Sequence, residues 1–377
     1  MGKFAFATII YSFIVLTLGA LVLYSTLLWR EFLSHGSEAV VNVNRPPRPV
    51  FSWPHPERKA IHPVQDRLQV YRQQLIVQLR RVQLDKRAEN EATKGNIYQI
   101  PRRLNRRRPK FLPGPKGICE MSEVELFRRG DEPFRSQGSD LYFPQGSLTS
   151  YNSCAIVSSA GSMLKSRLGS EIDSHDAVLR FNNAPAGGVY AQDVGSKTTH
   201  RILNSQVVSK PEFDFFESPL YRNLTLLVWD ASKYRQDLRE WVEKPEHDLF
   251  TSYFFRRQII PEENFLIINP RSLWELWDFL DINSNLPVIK NPPSSGLIGL
   301  AFMLRQCNYV DFYEYIPSMR LTRRCHFYSE HEDMGCTMGV WHPLAAEKLL
   351  VLNMTTSSNE DIFSIGKVSF SRKESCS

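Results

Sequence analysis

Two histidines stand where proton or phosphate chemistry is feasible. His342 occurs in GVWHPLAAEKLL, directly before Pro343 and a helix-like run, Pro343–Leu352. Proline suits the first helical position, which predicts His342 at the N-cap. There the positive end of the helix dipole disfavours imidazolium and keeps the ring neutral, as a general base requires. A capping histidine with no catalytic task fits the same residues. His326, in Cys325-His326-Phe327-Tyr328-Ser329, is either a donor to a phosphate or a surface histidine.

Two further stretches have the composition of an anion seat. Ser158-Ser159-Ala160-Gly161-Ser162 follows the apolar run Ala155-Ile156-Val157 and leads into a helix-like segment from Met163. Small side chains let backbone N–H groups approach a phosphate or ribose, and a helix N-terminus adds partial positive charge. Asn291-Pro292-Pro293-Ser294-Ser295-Gly296 precedes the apolar run Leu297–Leu304, a rigid, hydroxyl-rich helix start. Taken alone, the first stretch is better explained by an ordinary βα turn, and a well-capped core helix explains the second equally well.

Several signatures are missing from the chain: GxGxxG after a strand, GxxxxGK[ST], GxSxG, HExxH and CxxC. No Asp-x-Asp pair is present either, which argues against a divalent metal holding a diphosphate. A donor with a single phosphate needs no such clamp.

The elements that must position these residues alternate. Candidate strands are Ala155–Val157, Ala177–Phe181, Thr199–Leu203, Leu224–Trp229, Phe265–Ile268, Val310–Tyr315 and Ile362–Val368. Helices fit Ser162–Leu168, Gln236–Val242, Leu273–Leu280, Gly296–Gln306 and Pro343–Leu352. Short apolar strands between helices predict an α/β fold with a mostly parallel sheet covered on both faces.

The remainder of the chain divides by composition. Phe4–Trp29 contains 26 residues without a charge, enough at about 1.5 Å per helical residue to span a bilayer, and longer than a cleaved signal usually requires. Residues 30–118 are Pro- and Arg-rich, a stem or linker composition. Within them Val64, Leu68, Tyr71, Leu75, Leu79 and Val82 share a helical face between about Pro63 and Glu91, either a self-associating helix or a solvated, loosely packed one. The basic charge belongs to this third: residues 30–116 hold 19 Lys/Arg against 7 Asp/Glu, whereas 119–377 hold 26 against 33. A net-acidic folded part argues against nucleic-acid binding. All 6 cysteines lie beyond the apolar run, which favours an oxidising lumen and leaves many pairings open. The sequons at Asn223 and Asn353 agree with that placement.

Together these blocks resemble the eukaryotic sialyltransferase family, in its β-galactoside α2,6 branch. The large motif resembles Cys154 to about Thr199, with SSAGS, HDAVLRFN and DVGSKTT. The small motif resembles Asn291 through Tyr315, the third His326–Ser329, and the very small motif, His-x4-Glu, falls on His342 and Glu347. The resemblance implies a Golgi type II membrane protein: a cytoplasmic tail at 1–3, a signal-anchor at 4–29, a stem at 30–118 and a luminal domain at 119–377. That domain would be a variant glycosyltransferase-A-like Rossmann fold using CMP-sialic acid as donor, with no metal or other cofactor.

It also implies the disulfides Cys119–Cys376, Cys154–Cys307 and Cys325–Cys336. Carried over by position, Ser159, Asn182, Asn204, Ser294, Ser295 and Gly296 would bind the donor, His326 its phosphate, and His342 would act as base. The implied reaction sialylates the 6-hydroxyl of terminal galactose on glycoprotein glycans. Trp341 and Glu246 would stand on the acceptor side, where the branch often has Tyr and Asp, so acceptor preference is the part the departures unsettle. Ser329 likewise replaces a common Glu. A sialyltransferase of α2,3 or GalNAc-directed specificity and a non-catalytic sialoside-binding protein are the competing expectations, and self-association through the stem or membrane segment is a further one.

Overall fold

The computed structural model describes residues 64–84, 96–101, 114–144, 148–320, 322–333, 336, 339 and 341–376. The expected tail and signal-anchor lie outside these residues, and among the described residues no helix is long and apolar enough to cross a membrane.

Seven strands form one sheet: β1 Tyr151–Val157, β2 Ala177–Phe181, β3 His200–Asn204, β4 Thr225–Trp229, β5 Phe265–Ile267, β6 Cys307–Tyr313 and β7 Lys367–Ser371. Their spatial order is β5-β4-β3-β2-β1-β6-β7. All neighbours are parallel except β6 and β7, whose antiparallel register sets Val310 opposite Phe370. Every residue of β2 is buried, as expected where helices cover both faces. The chain winds outward from β1 to β5 and then returns to add β6 on the other side of β1. Ile156 is thus flanked by Leu179 and Phe312, and the direction of winding reverses between β1 and β6. In an open parallel sheet the connections diverge at such a reversal and leave a crevice beyond the carboxyl ends of the strands.

The helices used below are α1 Val64–Leu84, α2 Leu249–Ile259, α3 Pro270–Ile282, α4 Ser295–Gln306 and α5 Leu344–Met354. Asn269 caps α3 through Arg271 N–H, with Pro270 at its first position. Aromatic residues fill the space beside β4 and β5, where Phe127, Phe134, Phe143, Trp241, Tyr253 and Phe265 are all buried.

Four expectations are corrected. No α-helix follows SSAGS: Gly161–Met163 forms one 3₁₀ turn, and helix resumes only at Gly169–Asp173. Lys165 and Arg167 lie at positive φ, and the Asp193 carboxylate accepts both of their backbone N–H groups, which satisfies them outside a helix. The last strand begins at Lys367 rather than Ile362, because Asp361–Ile365 closes a π-type turn ended by Gly366 at φ 85°. The aromatic-rich α2 had no counterpart among the predicted helices.

The fourth correction concerns the stem helix, which is packed. Tyr71, Leu75 and Leu79, spaced four apart, are buried, and α1 lies along α5. Its apolar stripe has found a partner helix within this chain.

The structure joins Cys119 to Cys376, Cys154 to Cys307 and Cys325 to Cys336, with Cα separations of 5.6, 6.1 and 5.3 Å. The second staples β1 to β6, the two strands that border the crevice.

Candidate active site

The crevice at the β1/β6 reversal is walled by Ser158–Ser162 after β1, Asn182 after β2, Ser294–Gly296 at the start of α4, Glu314 and Tyr315 after β6, and Arg324, His326, His342 and Lys348. Parallel strands deliver their following loops to one edge, so residues up to 190 positions apart in the sequence converge there.

His342 is half-buried, and its Nδ1 lies 2.9 Å from the Pro292 carbonyl oxygen. A carbonyl only accepts, so Nδ1 carries the proton and Nε2 presents its lone pair, the tautomer a base requires. Burial lowers the His342 pKa, with the Glu347 carboxylate and the Pro292 bond working in the other direction. Helix α5 starts at Leu344 with Pro343 as its cap, so His342 is not the N-cap residue. Burial, rather than the helix dipole, is the leading cause of its neutrality.

Glu347 is fully buried and links three elements. It accepts the Ser294 backbone N–H at 2.8 Å, the Ser294 hydroxyl at 2.5 Å and the Tyr315 phenol at 2.7 Å. The Ser294 hydroxyl also accepts Leu297 N–H as the cap of α4. Ser294 is therefore occupied in holding α4 to α5, and the anion seat narrows to Ser295 and Gly296. The Ser295 hydroxyl accepts Trp229 Nε1–H at 3.0 Å. At Gly296 a Cβ would stand 2.7 Å from the Tyr315 ring, so only glycine lets the helix start approach this wall.

Asn182 sits at φ 46°, with its carbonyl held by the buried Arg201 guanidinium at 2.8 Å and its Oδ1 accepting Asn204 N–H at 3.0 Å. Burial lowers the Arg201 pKa to about 10, which still leaves a cation. Asn204 itself is not part of the crevice wall. It caps the short helix Ser205–Ser209 through Val207 N–H and acts on the crevice by way of Asn182. Ser159 lines the crevice and pairs with the Tyr328 phenol. Backbone pairing of Ala160 with His326 brings the third motif against SSAGS. The His326 ring stacks on Tyr328 with centroids 5.1 Å apart, and desolvation, then His331, lowers its pKa.

Lys348, Glu314 and Arg324 complete the wall and were not singled out in the sequence. Burial lowers the Lys348 pKa to about 8 against the opposing pull of Glu347 and Glu314, so an ammonium persists at neutral pH. Glu314 stands at φ 56°, held by Arg320, by Ser318 N–H and by its own N–H to Gly366 O. A buried non-glycine residue at positive φ directly after β6 marks strain at this edge. Neutral His342, the hydroxyls and the cations together can seat an anionic group beside a ring nitrogen able to accept one proton.

A family model for glycosyltransferase family 29 (sialyltransferase) matches residues 133–358, and these contain the whole crevice wall. The chain belongs to the sialyltransferases of family 29. Among curated relatives, beta-galactoside alpha-2,6-sialyltransferase 2 of Xenopus tropicalis is 44% identical over 290 residues, covering 75% of this chain and 54% of that protein. Its namesake in Homo sapiens is 41% identical over 274 residues, 71% of this chain and 52% of that one. The chain thus spans about half the length of the curated relatives it matches. A crystal structure of a mammalian sialyltransferase superposes at a TM-score of 0.35 with 19% identity, over 72% of this chain and 84% of that one, too slight a likeness to build on.

In this family 29 chain a second group of residues adjoins His342. Trp341 is 38% exposed and meets the His342 ring edge-on at 4.4 Å. Tyr98 packs 6.4 Å from Trp341 and donates its phenol O–H to Glu246 at 3.0 Å. Glu246 is exposed, and its backbone N–H is fixed by the buried Asp230. Tyr98 therefore links Glu246 to Trp341, the neighbour of His342. Nothing local marks Tyr98 in the sequence, where it lies in a segment of stem composition.

Proposed function

We propose that this protein transfers sialic acid from CMP-sialic acid to the 6-hydroxyl of terminal galactose on glycoprotein glycans, with inversion and without a metal. The observation that carries the reading is His342, with Nδ1–H committed to Pro292 and Nε2 unprotonated in a crevice walled by family motifs. Nε2 takes the proton of the 6-hydroxyl as that oxygen bonds to the anomeric carbon. The bond from that carbon to the phosphate oxygen breaks, and CMP leaves with the electron pair. Backbone N–H groups of Ser295 and Gly296, with His326 and Lys348, stand where they can balance charge gathering on the phosphate. Asn182 and Ser159 border the side where the nucleotide would lie, and Trp341 with Glu246 the side open to galactose. The names of the curated relatives support the linkage.

The reading includes a variant glycosyltransferase-A-like Rossmann description of the sheet, a type II anchor at 4–29, a Golgi lumen for the catalytic unit, and association through the stem or membrane segment. The full chain incubated with CMP-sialic acid and galactose-terminated glycans, with linkage determined by NMR, tests it. An α2,6 product is expected, and His342→Ala should reduce kcat by about 10² to 10⁴. An α2,3 product would overturn the linkage, binding without turnover would favour a sialoside-binding protein, and a fully active variant would remove His342 as base.

A further inference from the structure

Helix α1 packs along α5, the helix that follows the base. Arg72 donates from Nη2 to the Leu352 carbonyl at 2.9 Å and from Nη1 to Asn353 Oδ1 at 2.8 Å. Leu352 belongs to the last turn of α5, whose carbonyls have no partners within the helix, and a guanidinium there satisfies one and suits the negative end of the dipole. The first turn of α5, which begins about 12 Å away at Leu344, carries Glu347, with Lys348 next to it, and is separated from His342 by Pro343 alone. Tyr71, one residue from Arg72, is buried with its hydroxyl lacking a partner among the described residues, and meets Phe363 edge-on at 6.4 Å.

We propose that α1 is a positioning element of the active site: by packing along α5 and clamping its last turn through Arg72, it sets where the His342 imidazole stands. This inference rests on the reading of His342 as the base. The physical reason is rigidity. A helix transmits a shift of one end to the other, and catalysis is steep in the placement of a base. Arg72 touches none of the crevice residues, so its action is through α5.

The test compares the full chain with its Arg72→Ala, Arg72→Lys and Arg80→Ala variants, Arg80 being exposed on α1. Measured are kcat, CMP affinity by calorimetry, melting temperature and the titration of His342 by NMR. The charged group bearing on His342 is Glu347, which raises its pKa while burial lowers it.

Arg72→Ala should lower kcat about 10- to 100-fold, leave CMP affinity within about twofold, and move the His342 titration up toward the ordinary range as water enters. Arg72→Lys should recover part of the loss, and Arg80→Ala should match the unaltered chain. Unchanged kcat in Arg72→Ala would overturn the proposal, as would kcat and CMP affinity falling together with the melting temperature. If the unaltered chain showed no turnover, the base reading would fail by itself. The NMR titration needs no substrate and would then judge α1: a His342 titration unmoved by Arg72→Ala overturns the positioning role, and an upward shift upholds it.

Discussion

Neutral His342 is a consequence of where its two nitrogens lie. Nδ1 is tied to Pro292 and the ring is enclosed, so protonation costs desolvation, which Glu347 and the Pro292 bond offset only in part. The base form is present above the lowered pKa and is lost as pH falls through it, so the acid limb of a kcat–pH profile should lie below about 6.5. Glu347→Gln removes the group that raises this pKa and should move the limb lower still. A limb at or above the ordinary histidine value would show that a different residue titrates. The sequence placed His342 and Glu347 in one motif, but assigned neutrality to a helix dipole. It could not tell which neighbours would enclose the ring, because Pro292 and Trp229 arrive from distant segments. Ser294 teaches the same lesson: a hydroxyl read as a ligand donor is bonded to a carboxylate 53 residues away in sequence.

At the scale of elements, α1 and α5 distinguish two sequons that look alike in sequence. Asn223 is exposed, at φ 58° just before β4, a left-handed conformation that asparagine tolerates better than most residues. Asn353 is half-buried on α5, with its carboxamide bonded to Arg72 and its sequon threonine, Thr355, donating to Ser369 O at 2.9 Å. A glycan on Asn353 would compete with the docking of α1. Glycopeptide mass spectrometry of the chain made in mammalian cells should find Asn223 occupied and Asn353 bare, and a fully occupied Asn353 would contradict this packing. Element identity was legible where the pattern was strong: β2 matches its expected bounds, and α4 and α5 differ by one or two residues. It failed after SSAGS, where Asp193, in the short helix Ala191–Val194, supplies an alternative to helical bonding for Lys165 and Arg167.

For the whole molecule, buried charge sets a pH limit on stability. His200 at the start of β3 is 3% exposed between Tyr151 and Phe302, and burial lowers its pKa to about 4. In the unfolded chain it titrates near 6.5, so between those values the unfolded state binds more protons. The neutral-histidine contribution is therefore complete above about 6.5 and lost as pH falls toward 4, on the order of 3 kcal/mol. His200→Asn cannot titrate. Its urea-unfolding free energy should fall less between pH ~7 and ~4 than that of the unaltered chain, and equal losses in the two proteins would place the acid sensitivity elsewhere.

The sequence by itself determined the α/β alternation, the family motifs and the candidate base, because these depend on local periodicity and on residue types close together in the chain. Tertiary structure alone decided which hydroxyls are already bonded within the protein and which segments belong to the folded domain. Glu347 claims Ser294, Asn204 acts through Asn182, and α1 and Tyr98, which read as stem, pack against the folded domain. The physical reason is that a polar group's partner is set by what the reversal between β1 and β6 brings within about 3 Å of it, and no local pattern encodes that distance.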